Sequence, residues 1–231
     1  LDLAVCVRGE VPARVLGDDG RLRQILFNLA GNAVKFTETG GVSIELAPRP
    51  NGRLRFNVRD TGPGVAPEKQ ALIFEEFAQA DAGVARRHGG AGLGLAIVRK
   101  LALAMGGDVG LVSRPGFGAS FWVELPLGAV AVEGPSDAPL SLAGVNACIV
   151  TRSNVLAQAL RSALVSLGAE IGGHGKPDVI LFDWRADVDG EEIEAMKRSA
   201  RAVIAVAPQE DRGAIERCRA AGIEHYTLKP V

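Results

Sequence analysis

The chain has 231 residues, 47% of them hydrophobic, with 26 basic and 27 acidic side chains giving a net charge of −1. That length suits two ordinary domains, each with enough apolar material for its own core. The near-balanced charge excludes the broad positive field of a protein that lives on nucleic acid or anionic lipid, while leaving room for a local phosphate site. Cys6, Cys148 and Cys218 lie far apart without C-x-x-C spacing, so they read as packing thiols in a reducing compartment. No apolar run approaches the ~18 residues of a membrane span, and no apolar signal core follows a charged start. A cytoplasmic piece of a longer protein is expected.

The opening "LDLAVCV" reads as a strand. Between Arg21 and Phe36, the residues Leu22, Leu26, Leu29 and Ala33 recur at helical spacing behind Asp18 and Asp19, an acidic start that suits a helix N-terminus. On the same helix Asn28, Asn32 and Lys35 stand at i, i+4 and i+7, which places two amides and an ammonium along one face. Amide oxygens can hold Mg²⁺ and the ammonium can meet phosphate. A solvated helix face would carry the same residues. "GVSIEL" and "RLRFNVRD" alternate instead, with Val42, Ile44 and Leu46, then Leu54, Phe56 and Val58, pointing one way across a turn at Pro50-Asn51-Gly52.

Asp60 continues that inward register, so a carboxylate emerges on the core side, where it needs a donor. An adenine amine would serve, and Gly62 and Gly64 would let backbone pass close to a flat ring. A plain β-turn with an Asx contact is the simpler reading. Next, "GGAGLGLAIVRKLALAMGG" sets Gly90, Gly92 and Gly94 ahead of a helix with an expected inward stripe of Leu93, Ile97, Leu101 and Ala104, ended by Gly106-Gly107. Bare N–H groups at a helix N-terminus favour an anion through hydrogen bonds and dipole together. "GASFWVELPL" alternates through Phe121, Val123 and Leu125 and closes the domain near Leu127, with a sheet in one layer and helices in the other.

Residues 128–142 show no period and carry Gly, Pro and Ser, which predicts a linker. From residue 143 the texture changes. "NACIVT", "DVILFD" and "AVIAVA" are short, nearly continuous apolar runs that alternate with helical segments at Asn154–Leu167, Gly190–Ala200 and Asp211–Ala221, the pattern of a doubly wound parallel sheet. The link Gly172–Pro177 is too short for a crossover helix, and no terminal helix follows the last strand, so this domain reads as incomplete.

Four stretches of the first half carry a family resemblance. "RLRQILFNLAGNAVKFTETGGV" resembles the N-box, "DTGPGV" the first glycine box, "IFEEFAQAD" the F-box and "GGAGLGLAIVRKLALAMGG" the second glycine box of the catalytic and ATP-binding domain of sensor histidine kinases. The resemblance covers residues 1–127. It implies a Bergerat-type α/β sandwich, a mixed sheet with helices on one face. Asp60 would read the adenine, Asn32 would hold Mg²⁺, and Asn28 and Lys35 would stand at the phosphates. Gly62, Gly64, Phe77, Gly90, Gly92, Gly94 and Leu95 would line the nucleotide, under a lid between Phe77 and Gly90. Ala91 stands where a Thr is usual. Gyrase-class ATPases share the fold and resemble this chain except that a glutamate general base takes the place of Asn28; an amide cannot accept a proton, which favours transfer to a histidine over hydrolysis. The acceptor histidine is expected in a dimerisation and phosphotransfer domain upstream, giving a homodimeric protein-histidine kinase.

Residues 143–231 resemble, less closely, the flavodoxin-like receiver domain of response regulators. Asp183 stands where a phospho-acceptor aspartate would, with Lys229-Pro230 on the strand of the acid-pairing lysine and Tyr226 at the aromatic switch position. The acid pair that would follow the first strand is replaced by Thr151 and Arg152, and the switch hydroxyl by Ala207. This implies a pseudo-receiver in which Arg152 sits where a metal would and pairs with Asp183. It would gate the kinase in a phosphorelay that continues to a further receiver or response regulator. Some hybrid kinases of the resembled class are controlled by cyclic di-GMP, so that ligand is expected at Arg212, Tyr226 and Pro230 by stacking and paired hydrogen bonds, with a docking domain on the same face as the alternative. An ATP-binding pseudokinase scaffold and a gyrase-type ATPase module are the alternatives for the whole.

Overall fold

The computed structural model describes residues 1–76, 92–130, 140–185, 187–209, 211 and 213–231. The chain divides into two compact units, Leu1 with Val7–Gly134 and Asp2–Cys6 with Pro135–Val231.

The first sheet has the order β1-β3-β4-β6-β5, built from β1 (Asp2–Val7), β3 (Gly41–Arg49), β4 (Arg53–Asp60), β5 (Asp108–Ser113) and β6 (Ala119–Leu125). Strands β3 and β4 form an antiparallel hairpin running from Val42 opposite Asp60 to Arg49 opposite Arg53. The hairpin reverses through a 3₁₀ turn at Pro50–Gly52, where Asn51 takes φ 65°, a left-handed conformation that asparagine tolerates. Helix α1 (Asp19–Phe36) starts at the acidic pair expected to lead it, where the Asp18 carboxylate accepts from the Arg21 N–H and caps the helix. A short helix α2 (Pro67–Gln70) precedes α3 (Gly94–Ala104).

One sheet face supplies Val42, Leu54, Phe56, Val58, Phe121, Val123 and Leu125 to a core closed by Ile25, Leu29 and Ala33 of α1 and Val98 and Ala102 of α3. The expected inward stripe of α3 is rotated. Ala96, Val98 and Ala102 are the buried positions, whereas Ala104 is exposed and Leu93, Ile97 and Leu101 are half-buried. Small side chains occupy the closest approach, and the leucines pack at its margins. On the other sheet face Arg55 lies 4.3 Å over the Trp122 ring and bonds Glu124, as does Arg49. The expected linker begins inside structure. Gly128–Ala129 (β7) pairs antiparallel with Val15–Leu16 (β2), while residues 131–139 lie outside the described set.

The second sheet has the order β12-β11-β10-β8-β9, from β8 (Asn146–Val150), β9 (Glu170–Ile171), β10 (Val179–Asp183), β11 (Ala202–Ala207) and β12 (His225–Leu228), and every one of its pairings is parallel. Its interior is split by the pleat. Ile180 and Phe182 face a cluster with Ile193 and Met196 of α5 (Gly190–Ser199) and Ala214 and Cys218 of α6 (Ala214–Ala220), while Leu181 faces Leu156 and Leu160 of α4 (Asn154–Ser166). Both faces are covered, which is why these strands are continuous apolar runs.

No helix joins β9 to β10. The link passes the start of β8, where Asn146 pins it: Gly173 N–H donates to the Asn146 side-chain oxygen at 3.0 Å, Asp178 N–H to its carbonyl at 2.8 Å, and Asn146 N–H to the Asp178 carboxylate at 3.0 Å. Among the described residues no helix is long and apolar enough to cross a membrane.

Candidate functional site

Strand alternation carries Asp60 to the inner face at the end of β4, where it is 5% exposed. Its Oδ1 accepts from the Gly62 N–H at 2.9 Å and the Ala119 N–H at 3.2 Å. Burial pushes the carboxyl above the usual carboxylate range, opposed by those two N–H groups and by the Arg59 charge. The carboxylate is therefore held by neutral backbone donors, and it keeps the capacity to accept from a ligand amine.

The glycines around it are spatial requirements. A Cβ on Gly62 would lie 2.8 Å from the Phe36 carbonyl and 3.0 Å from Asp60 Oδ1, and one on Gly64, at φ 73°, would lie 2.4 Å from the Arg114 carbonyl. Gly118, which the sequence reading passed over, is the tightest. At φ 91° its missing Cβ would sit 2.0 Å from the Asp60 carbonyl. Glycine directly before a strand is the signal that could have marked it. Thr61 was also missed; its hydroxyl accepts from the Gly41 N–H and donates to the Thr39 carbonyl, which fixes the start of the first glycine segment.

The second station meets the helix face. Gly92 takes φ 68°, and Gly94 begins α3 at a position where a Cβ would lie 3.1 Å from Asn28 Oδ1 and 3.8 Å from the Asn32 side-chain nitrogen. Asn28 and Asn32 are thus brought together with the N-terminus of an 11-residue helix. Asn28 differs in one respect from the expectation, because its amide nitrogen donates to the Gln24 carbonyl one turn back at 2.9 Å and only its oxygen is turned to Gly94. Lys35 lies with its ammonium 5.1 Å from the Phe36 ring centroid. Leu95 packs against the first core. Phe77, Gly90 and the expected lid lie outside the described residues.

Among the described residues no three His, Cys, Asp or Glu side chains converge on a metal position. The amide pair suits Mg²⁺ that arrives on a nucleotide and takes most of its ligands from phosphate and water, and the absent Gly94 side chain leaves the space beside those amides.

In the second unit Asp183 ends β10 and is 7% exposed. Lys229 Nζ lies 2.8 Å from its Oδ1, and the Thr151 hydroxyl donates to Oδ2 at 3.0 Å. Arg152 does not pair with it. The guanidinium is 76% exposed and 3.6 Å from Asp187, because Thr151 takes the inward position at the strand end and its neighbour points away. Lys229 also reaches Asp2 at 2.9 Å, and the two carboxylates hold its pKa above the ordinary lysine value against the opposing effect of burial. Tyr226 is 37% exposed on β12 and Pro230 is exposed, while Arg212 lies outside the described residues and Arg217 is paired with Asp211.

The geometry of the first unit, a buried acid beside close-packed glycines and a glycine-led helix facing two asparagines, has a counterpart among known domains. Residues 17–129 match the family of histidine kinase-, DNA gyrase B- and HSP90-like ATPases, and the first unit has the fold of that family. Over 178 residues the chain is 39% identical to the signal transduction histidine-protein kinase BarA of Escherichia coli K12, covering 74% of this chain and 19% of that protein. It is 45% identical over 133 residues to the sensory/regulatory protein RpfC of Xanthomonas campestris pv. campestris, covering 55% of this chain and 18% of that protein. The chain thus spans about a fifth of the length of these relatives. The crystal structure of full-length ShkA in complex with AMPPNP is similar over 100% of this chain and 49% of that one, with a TM-score of 0.81 and 37% identity.

Proposed function

We propose that this chain is the ATP-binding and phosphoryl-donating part of a cytoplasmic hybrid histidine kinase, acting on a histidine in an upstream dimerisation domain. The observation that carries the reading is the buried Asp60 among closely packed glycines, with backbone donors on its carboxylate. The similarity of the whole chain to an AMPPNP-bound protein supports a nucleotide there.

Each residue then has a defined task. Asp60 accepts from the adenine amine, which selects adenine over guanine, since guanine presents a carbonyl at that position. Gly62, Gly64 and Gly118 let the backbone around Asp60 pack closely. The α3 N-terminus receives phosphate oxygens, and Asn32 supplies an amide oxygen toward Mg²⁺, whose charge would offset that building on the transferred group. Asn28 orients rather than deprotonates, since an amide has no basic lone pair of the required strength. With no carboxylate in its place, hydrolysis by an activated water is disfavoured relative to transfer to an incoming imidazole.

The second unit is read as a pseudo-receiver that gates the kinase, supported by its 2-1-3-4-5 strand order and by Thr151 and Arg152 where metal-holding acids would be needed. Cyclic di-GMP at Tyr226 and Pro230 belongs to this reading, and the pairing of Arg217 with Asp211 narrows the basic groups left for it. The decisive experiment joins this chain to its native upstream segment and supplies γ-labelled ATP with Mg²⁺. Acid-labile, base-stable label on histidine supports transfer, steady phosphate release without labelled protein supports the ATPase alternative, and nucleotide binding without either supports a scaffold. Titration of the second unit with cyclic di-GMP, with Tyr226→Ala as control, tests the ligand.

A further inference from the structure

The Ala119 N–H that donates to Asp60 Oδ1 belongs to the same planar peptide as the Gly118 carbonyl, which points the opposite way. As a glycine, Gly118 gives this peptide little restraint of its own. Its far end is held from β5: the Ser113 hydroxyl donates to the Gly118 carbonyl at 2.9 Å, and the Arg114 N–H reaches the same oxygen at 3.3 Å. One side chain therefore grips the peptide whose other end grips the buried carboxylate.

The same hydroxyl accepts from the Val65 N–H at 2.8 Å, at the end of the segment that follows Asp60. The Gln70 side-chain nitrogen of α2 spans the Val65 and Ser113 carbonyls at 3.0 and 3.2 Å, and the Gly116 N–H donates to the Pro63 carbonyl at 2.8 Å. Residues 60–65 and the turn between β5 and β6 are thus joined on both sides of Asp60. A serine hydroxyl has one proton to give, and here the Val65 N–H fills its acceptor side while the proton goes to Gly118, so its orientation is fixed. Val65 N–H, Ser113 O–H and the Gly118–Ala119 peptide donate in one direction toward Asp60, and each bond polarises the next.

We propose that Ser113 is a positioning residue for adenine recognition: through the Gly118–Ala119 peptide it fixes the rotation of the Asp60 carboxylate, keeping Oδ1 on the backbone and presenting Oδ2 to the base amine. The role rests on the reading of Asp60 as the adenine acceptor. Without the hydroxyl the peptide keeps only the longer Arg114 bond, and the carboxylate loses its fixed rotation. A residue that merely braced the turn between β5 and β6 would, when removed, weaken every nucleotide alike; a residue that aims Asp60 affects the amine alone.

The test is calorimetric titration of the full 231-residue chain, with Mg²⁺, by ATP and by purine riboside triphosphate, which lacks the 6-amino group. Wild type is expected to prefer ATP, and Ser113→Ala to lower ATP affinity by about threefold to tenfold, the worth of one hydrogen bond, while purine riboside triphosphate affinity holds. Ser113→Thr, which keeps the hydroxyl, should restore the preference. In the Asp60→Asn background Ser113→Ala should change the preference no further. An equal loss for both triphosphates overturns the proposal by making Ser113 a brace of the turn, and an unaltered preference in Ser113→Ala overturns it outright. A wild type that binds both triphosphates alike removes the adenine reading of Asp60 itself, and the role of Ser113 with it.

Discussion

Two buried aspartates end interior strands of the two units, and they are held in opposite ways. Asp60 accepts from two neutral backbone N–H groups, whereas Asp183 faces an ammonium and a hydroxyl. In the first case the negative charge is bound but not cancelled, so burial raises its pKa and the carboxylate stays ready for an incoming donor. In the second the charge is met inside the protein. A carboxylate satisfied by dipoles keeps its charge and can accept from a further donor, whereas one satisfied by a cation is a closed contact.

The comparison breaks most visibly at Lys229. Lys229→Met leaves Asp183 buried without its counter-charge and should destabilise the second unit by about 3–5 kcal/mol, the range for halving a buried pair. Thermal unfolding of that unit measures it, and an unchanged transition would mean that Asp183 is satisfied without the lysine. Gly118→Ala should come next, costing the first unit about 2–4 kcal/mol, because the new Cβ meets the Asp60 carbonyl and the residue must hold φ 91°.

Asp60→Asn should produce a split result. An asparagine oxygen can keep both backbone bonds and removes a buried charge, so the melting temperature of the first unit should hold or rise. AMPPNP affinity should fall by about 1–3 kcal/mol, the cost of a mispaired buried polar group, measured by calorimetric titration. A joint loss of stability and affinity would show that Asp60 is structural. The pH dependence follows with the same sign. A raised folded-state pKa means that the folded chain takes up the proton first, so wild-type stability falls as pH rises from 3.8 through the raised value, and the gap to Asp60→Asn opens over that window.

Lys229 runs the other way. Its folded pKa lies above 10.5, so its contribution is complete below 10.5 and is lost as pH climbs through the folded value, while Asp2, lowered from 3.8, contributes above 3.8 and loses that contribution as pH falls through its folded value. Unfolding midpoints of the second unit against pH should thus weaken at both extremes. The smallest expected effect is that of Arg152→Ala. An exposed guanidinium 3.6 Å from Asp187 contributes little, and the melting curve should not move.

Much of this was written in local pattern. Alternation in "RLRFNVRD" put Asp60 on the inner face, the Asp18 cap and leucine spacing placed α1, and continuous apolar runs announced a parallel sheet, because each depends only on the period of one element. The α3 stripe was not legible. Leu93, Ile97, Leu101 and Ala104 fit helical spacing as well as the buried set does, and only the close approach of α1 favours alanines at the contact. Gly118 was missed because its requirement comes from the carbonyl of Asp60, 58 residues earlier.

The identity of the charged partners was decided last. The sequence alone determined that Asp183 would end an apolar strand, and the receiver resemblance set Arg152 and Lys229 near it, with Arg152 expected as its partner. The structure pairs it with Lys229 instead. A strand end turns one residue in and the next out, so Thr151 took the inward place and Arg152 the solvent. The parallel pairing of β11 with β12 brought Lys229 alongside Ala207, and the tertiary fold then brought Asp2 to the same ammonium from the other end of the chain. No local period encodes a contact across 227 residues; only the folded backbone fixes which charges share one site.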